Sequence, residues 1–189
     1  MRTLPGHLPS DQVDALLEPF ADFEAFVADM TSIRIVTELT ELTREGHTIR
    51  AFNYINSMGS GGGAFYGESG FRILTAELHG ASRAATLVKR KGLGARLRHL
   101  FSGKVKVDGP RSFNDAFFVV SDDADGARGA LPPEFLAHLG RHRPDVDIEL
   151  RGHHLVAWRR GAAKEAAQLG FIDEMAVLVP LCERPGYRH

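Results

Sequence analysis

Cysteine is almost missing from this sequence: Cys182 stands alone among 189 residues, so no internal disulfide can form and packing must hold the fold. Long apolar runs are missing as well. The longest, residues 116–120 and 175–181, fall far short of the roughly 20 residues that a bilayer-spanning helix needs. The first thirty residues lack a basic start and an apolar stretch, and set six acids against Arg2 alone, so they do not read as a secretory leader. These absences predict a reducing, cytoplasmic setting. No repeat of about 20 to 50 residues recurs, which excludes a solenoid. What is present, 43% hydrophobic and 25% charged residues, is the composition of a globular chain long enough to bury a core, not of a disordered one.

The net charge of −1 conceals a segregation. Residues 1–45 hold nine acids against Arg2, Arg34 and Arg44, whereas residues 78–107 contain no Asp or Glu and eight cations: Arg83, Lys89, Arg90, Lys91, Arg96, Arg98, Lys104 and Lys106. A block of this sign attracts anionic lipid, nucleic acid or an acidic protein surface. The plainer account is a solvated edge, or a match to the acidic segment of the same or a neighbouring chain. Aromatic residues do not interleave with the cations before Phe101, which weighs against single-stranded nucleic acid.

Val13, Leu16, Leu17, Phe20, Phe23, Val27 and Met30 fall near helical spacing, with Ser10 suited to cap the helix and Pro19 expected to break or kink it. This acidic amphipathic arm is expected to pack on the following sheet or on a partner subunit. From Ile33 the period becomes two: Ile33, Ile35, Thr37 and Leu39 alternate with polar residues, Arg44-Glu45-Gly46-His47 reads as a turn, and residues 48–56 read as a second strand. The glycine-rich stretch 57–63 reads as a connector. Further strands are expected over 71–78, 84–89, 104–107 and 116–121, with a short helix on Leu93, Leu97, Leu100 and Phe101. Asp122 and Asp123 stand where a helix cap is expected, Pro132-Pro133 opens another helix, and Val146, Ile148 and Leu150 begin a closing hairpin that ends near Trp158. One core-packing helix over 163–179 carries Leu169, Ile172, Ala176 and Val179.

Short turns join most of these strands, so the expected fold is α+β: a mainly antiparallel sheet, compatible with a pleckstrin-homology-like half-barrel, with an N-terminal helical arm and a C-terminal packing helix. The expected division is an arm over 1–32, a single domain over 33–183 and a tail over 184–189.

Catalytic signatures are absent where they would be sought. Gly59–Gly63 lacks the Lys-Ser or Lys-Thr and the following helix of a phosphate loop. Ser60 has Met58 where a nucleophile elbow needs glycine. His138 and His142 are four apart and could share a helix face, but no glutamate stands where a zinc protease needs it; His153 and His154 would point to opposite faces of a strand. Asp122-Asp123-Ala124-Asp125-Gly126 brings its glycine too early for a calcium loop. Asp145, Asp147 and Glu149 are expected to line the solvent face of a strand. No catalytic residue, metal site or cofactor is therefore assigned.

The stretch Gly46-His47-Thr48-Ile49-Arg50-Ala51-Phe52-Asn53-Tyr54 is followed, in order, by a Gly/Ser-rich gap and an apolar strand. Then come Lys-Gly-Leu-Gly at 91–94, Ser112-Phe113-Asn114-Asp115-Ala116-Phe117-Phe118-Val119, an acidic turn, Leu131-Pro132-Pro133-Glu134-Phe135, and Leu150-Arg151-Gly152 with Leu155 and Trp158. Across residues 33–180 this pattern resembles an uncharacterised bacterial family, common in actinobacteria, whose members carry such a domain on the cytosolic side of one or two transmembrane helices. The resemblance implies no activity, cofactor or site residue. Where such proteins have membrane helices this chain has its acidic arm.

The functional expectation is a non-enzymatic interaction or sensing module that contacts an anionic partner, an acidic protein surface or the inner membrane periphery, through the basic block. Residues 10–30 are expected to support self-association, giving a homo-oligomer. The alternative is a small-molecule binder or enzyme with a pocket beside the glycine-rich loop, drawing on Asn53, Tyr54, Tyr66 and His79. Nucleic-acid binding ranks last, for want of a motif and of net positive charge.

Overall fold

The computed structural model describes residues 1–26, 32–58, 68–79, 83–91, 104–161 and 165–183. Its elements are β1 (Arg2–His7), α1 (Ser10–Leu17), a 3-10 turn (Glu18–Phe20), β2 (Ser32–Arg44), β3 (His47–Met58), β4 (Glu68–Glu77), β5 (Arg83–Arg90) and β6 (Lys104–Val105). There follow α2 (Arg111–Ala116), β7 (Phe117–Val120), α3 (Ala124–Ala130), α4 (Pro133–His142), β8 (Asp147–Gly152), β9 (His154–Arg160), α5 (Glu165–Ala176) and α6 (Leu178–Glu183). The fold is α+β with a mainly antiparallel sheet. The chain divides into two compact units, Met1–Thr75 with Trp158–Ala176, and Ala76–Ala157 with Val177–His189.

In the first unit the strands run in the order β1-β2-β3-β4. The β2–β3 hairpin turns on Glu45 and Gly46, at φ 50° and 85°, the pair of positive φ angles a tight two-residue turn needs to match strand twist. Its register shifts by one between Thr37 and Thr40, where Glu38 adopts φ 56°, and the bulge resets which side chains face inward. Among the side chains of β2 whose burial is described, Val36 and Thr40 are buried, and Ile35, Thr37 and Leu39, expected inside, are half-buried. Strand β1 had no counterpart in the sequence reading. Pro5 and Gly6 interrupt it, which fits a strand that pairs only with β2.

Helix α1 starts at Ser10 with Pro9 in the cap position and no side-chain cap, so Ser10 is a first-turn residue and not the cap expected of it. Pro19 ends the α-helix and enters the 3-10 turn, as a proline without an N–H does. Val13 and Leu17 are buried, and beyond them Phe20, Phe23 and Phe26 form an aromatic cluster. Phe26 lies 5.3 Å, edge-on, from the Tyr54 ring and 6.3 Å from that of Phe52. The acidic segment is thus amphipathic and packed, with Asp14 paired to Arg34 at 2.7 Å.

The expected single terminal helix is two: α5 ends at Ala176 in the first unit, and α6 begins at Leu178 in the second. Phe171, Ile172, Met175 and Ala176 of α5 are buried. Arg159 lies over the Phe171 ring at 4.6 Å and pairs with Glu174 at 2.5 Å, while Arg72 lies 5.7 Å from the same ring, so two strand arginines clasp the helix.

In the second unit the order is β9-β8-β5-β7-β6. Val88, Phe117, Val119, Ile148 and Leu150 are buried beneath the helices, with Phe113 stacked 5.4 Å from Phe117. The expected cap is present: Asp123 Oδ1 accepts the Gly126 N–H at 2.8 Å at the start of α3. Helix α2, for which no element was expected before the strand over 116–121, packs on α4 where Gly140 lets the backbones approach. A Cβ there would come 2.6 Å from Ser112 Oγ and 2.7 Å from the Phe113 nitrogen. Among the described residues no helix is long and apolar enough to cross a membrane.

Candidate anion-contact face

Strand alternation divides the basic block. In the β5–β7 ladder Leu87 stands opposite Val120, Lys89 opposite Phe118 and Arg90 opposite Phe117; in the β6–β7 ladder Lys104 stands opposite Val120. Directly opposed residues share a face. Leu87, Lys89, Phe118, Val120 and Lys104 therefore lie on one side of the sheet, and Arg90 lies on the other with buried Val88's neighbour Phe117.

Arg90 is held inside the unit. Its guanidinium donates to the Arg143 carbonyl and, at 2.7 Å, to that of Pro144, lies 3.4 Å from Asp145 and sits 5.9 Å from the Phe117 ring. Arg143 is the left-handed C-cap of α4, so this cation satisfies carbonyls at a helix end, where positive charge is favoured. Lys91 does the same for α2: its ammonium donates to the Asn114 carbonyl and its N–H to that of Ala116. Both residues secure helix ends.

The cations on the opposite face have a different setting. Lys104 is exposed, with its ammonium 5.2 Å from the centroid of the Phe118 ring. Leu87, Phe118 and Val120 beside it are only half-buried, as is Lys89, and Lys106 follows as a second exposed lysine beyond the end of edge strand β6. A lysine on an edge strand discourages pairing with another chain. Here it also adjoins an apolar strip. Arg83 lies on β5, and Arg96 and Arg98 fall outside the described residues, as do the helix expected near Leu93 and residues 59–63 of the glycine-rich stretch, whose first two residues belong to β3 and not to a connector.

The same face continues onto β8, where Leu87 stands opposite Glu149. The three acids of this region do not share the solvent side expected of them. Asp145 is exposed, Asp147 accepts the Arg90 N–H at 2.9 Å, and Glu149 is 3% exposed. Burial of that carboxylate is offset by Arg151, whose Nε and terminal nitrogen lie 3.1 and 3.0 Å from Glu149 Oε1.

Asn53 and Tyr54 are both buried but successive on β3, so their side chains point to opposite faces. Burial pushes the Tyr54 phenol up against the opposing pull of Arg34, and its hydroxyl has no hydrogen-bond partner among the described residues. Tyr66 lies outside the described residues, and exposed His79 belongs to the second unit, its N–H donating to the Glu183 carboxylate.

Histidines 138 and 142 do share a face of α4, with ring centroids 4.3 Å apart. Burial, then His142 and Arg141, hold His138 below the usual imidazole range. Burial also lowers His154, against the pull of Glu77. No group of three or more His, Cys, Asp or Glu capable of holding a metal occurs among the described residues. No family model, curated protein or solved structure matches this chain.

Proposed function

We propose that the protein is a non-enzymatic interaction module that takes an acidic protein segment on the β5–β7–β6 face. The observation that carries this reading is the half-exposed strip of Leu87, Phe118 and Val120 bordered by the exposed Lys104, with the exposed Lys106 two residues further along the chain. Cations beside an apolar strip suit a partner that offers carboxylates and apolar side chains together.

An acidic segment fits better than the other anionic surfaces. A bilayer or a duplex presents charge over an area larger than the patch, and the chain as a whole, at net −1, gains no long-range attraction to it. Single-stranded nucleic acid would call for several stacking rings, and this face presents Phe118 alone among its described aromatic residues.

Fluorescence anisotropy with a labelled Glu–Leu repeat peptide, run beside phosphatidylserine vesicles and random duplex DNA, tests the reading. It expects saturable binding of the peptide at low salt, weakened at moderate salt, and stronger than binding of the vesicles or duplex. Tighter binding of vesicles or duplex than of peptide would overturn the choice of partner.

A further inference from the structure

The imidazoles of His138 and His142 stand side by side on the last two turns of α4, centroids 4.3 Å apart and planes inclined by 30°. Four-residue spacing on a helix brings two side chains to one flank, and this helix is firmly seated on its other side. Phe135, Leu136 and Leu139 are buried, and Gly140 closes against Ser112 and the Phe113 backbone. Little backbone freedom is left to lose when a ligand engages both rings. Among the described residues neither ring has a hydrogen-bond partner.

We propose that His138 and His142 form a two-nitrogen chelate for a borderline transition-metal dication, binding Cu2+ ahead of Ni2+ and Zn2+. Neutral imidazole is the ligating form, and the four-residue spacing on one helix brings two such rings to the same flank.

The donor set decides the class of metal. Calcium and magnesium require oxygen ligands, and structural zinc requires four protein ligands, whereas no third His, Cys, Asp or Glu joins this pair among the described residues. Two imidazoles alone suit a metal that gains most per nitrogen, which places Cu2+ first in the divalent series. The remaining coordination positions fall to water or to an external ligand. Arg141, near enough to bear on the charge of His138, opposes a dication and keeps the site weaker than one flanked by carboxylates. Histidines near a helix C-terminus can also act simply by complementing the helix dipole, a role that needs no metal and that the metal titration below distinguishes.

Titrating the full chain with Cu2+, Ni2+ and Zn2+ against a competing chromophoric chelator tests the site, with nitrogen hyperfine splitting of the bound Cu2+ as a second readout. His138→Gln and His142→Gln are the test variants. His153→Gln, which alters an exposed histidine elsewhere, is the control, and circular dichroism verifies that each variant folds. The expected result is one Cu2+ per chain with a two-nitrogen signature, affinity falling in the order given, at least about a tenfold loss in each test variant and no change in the control. Wild-type Cu2+ affinity retained by both test variants, or binding lost equally in the control, would overturn the proposal.

Discussion

Arg151 closes on Glu149 from two residues along the same strand, its Nε and terminal nitrogen 3.1 and 3.0 Å from one carboxylate oxygen. Glu149 is 3% exposed, while the arginine reaches solvent. Removing the cation alone would leave a buried carboxylate short of compensation. Arg151→Ala is therefore expected to cost about 3 kcal/mol, and to cost less when combined with Glu149→Gln than alone. Urea denaturation of the two single variants and the double variant checks this; equal losses in Arg151→Ala and in the double variant would contradict it.

Tyr54 carries a hydroxyl that is buried without a hydrogen-bond partner among the described residues, in a cluster with Phe26 and Phe52. Trimming a buried tyrosine ordinarily destabilises. Here Tyr54→Phe removes an unsatisfied donor and is expected to leave stability unchanged or raise it by about 1 kcal/mol. A lower thermal midpoint in the variant would show that the hydroxyl has a partner.

Gly140 permits α2 and α4 to approach, since a Cβ would lie 2.7 Å from the Phe113 backbone nitrogen. Backbone cannot yield as a flexible side chain can. Gly140→Ala is expected to destabilise by about 1–3 kcal/mol despite the better helix propensity of alanine. Gly129→Ala, where a Cβ meets nothing within 4 Å, is the matched control and is expected to be neutral or stabilising.

His138 and His154 both have folded-state pKa values below the ordinary 6.5, chiefly through burial. The folded chain therefore binds fewer protons than the unfolded chain in the window below pH 6.5, and stability must fall as pH falls through it. Above that window both rings are neutral in either state and the contribution is complete. Denaturant midpoints at about pH 7.5 and pH 5.5 are expected to drop less in His138→Gln,His154→Gln than in the wild type. An equal drop would assign the acid sensitivity to other groups.

Most strands could be read from period-two patterning and turn residues, because burial on one side writes itself into local spacing. The β2–β3 turn at Glu45-Gly46 and the Asp123 cap were readable for the same reason: each requires particular residues at adjacent positions. Strand β1 was not, since Pro5 and Gly6 erase the alternation and its stability comes from β2, some thirty residues away in the chain. Helix α2 was hidden because Phe113 is its one buried apolar residue and its reason to be helical is the fit to Gly140. The bulge at Glu38 breaks the alternation of β2 partway along, and nothing in the local pattern announced it. For the candidate face, counting cations showed where charge collects but not its direction. Pairing placed Arg90 among helix-end carbonyls and Lys104 over Phe118, and that division depends on which strand lies beside which.

The reading of the face rests on the exposed lysines of the β6 edge. Reversing both, in Lys104→Glu,Lys106→Glu, leaves the helix-end contacts of Arg90 and Lys91 in place and changes the sign of charge beside Phe118. Anisotropy titration of the labelled acidic peptide against the wild type and this double variant is the most direct test. At least about a tenfold weaker affinity in the variant, with the difference shrinking as salt rises, is the predicted result. Peptide affinity equal in the two proteins at low salt would contradict the assignment of this face as the contact surface.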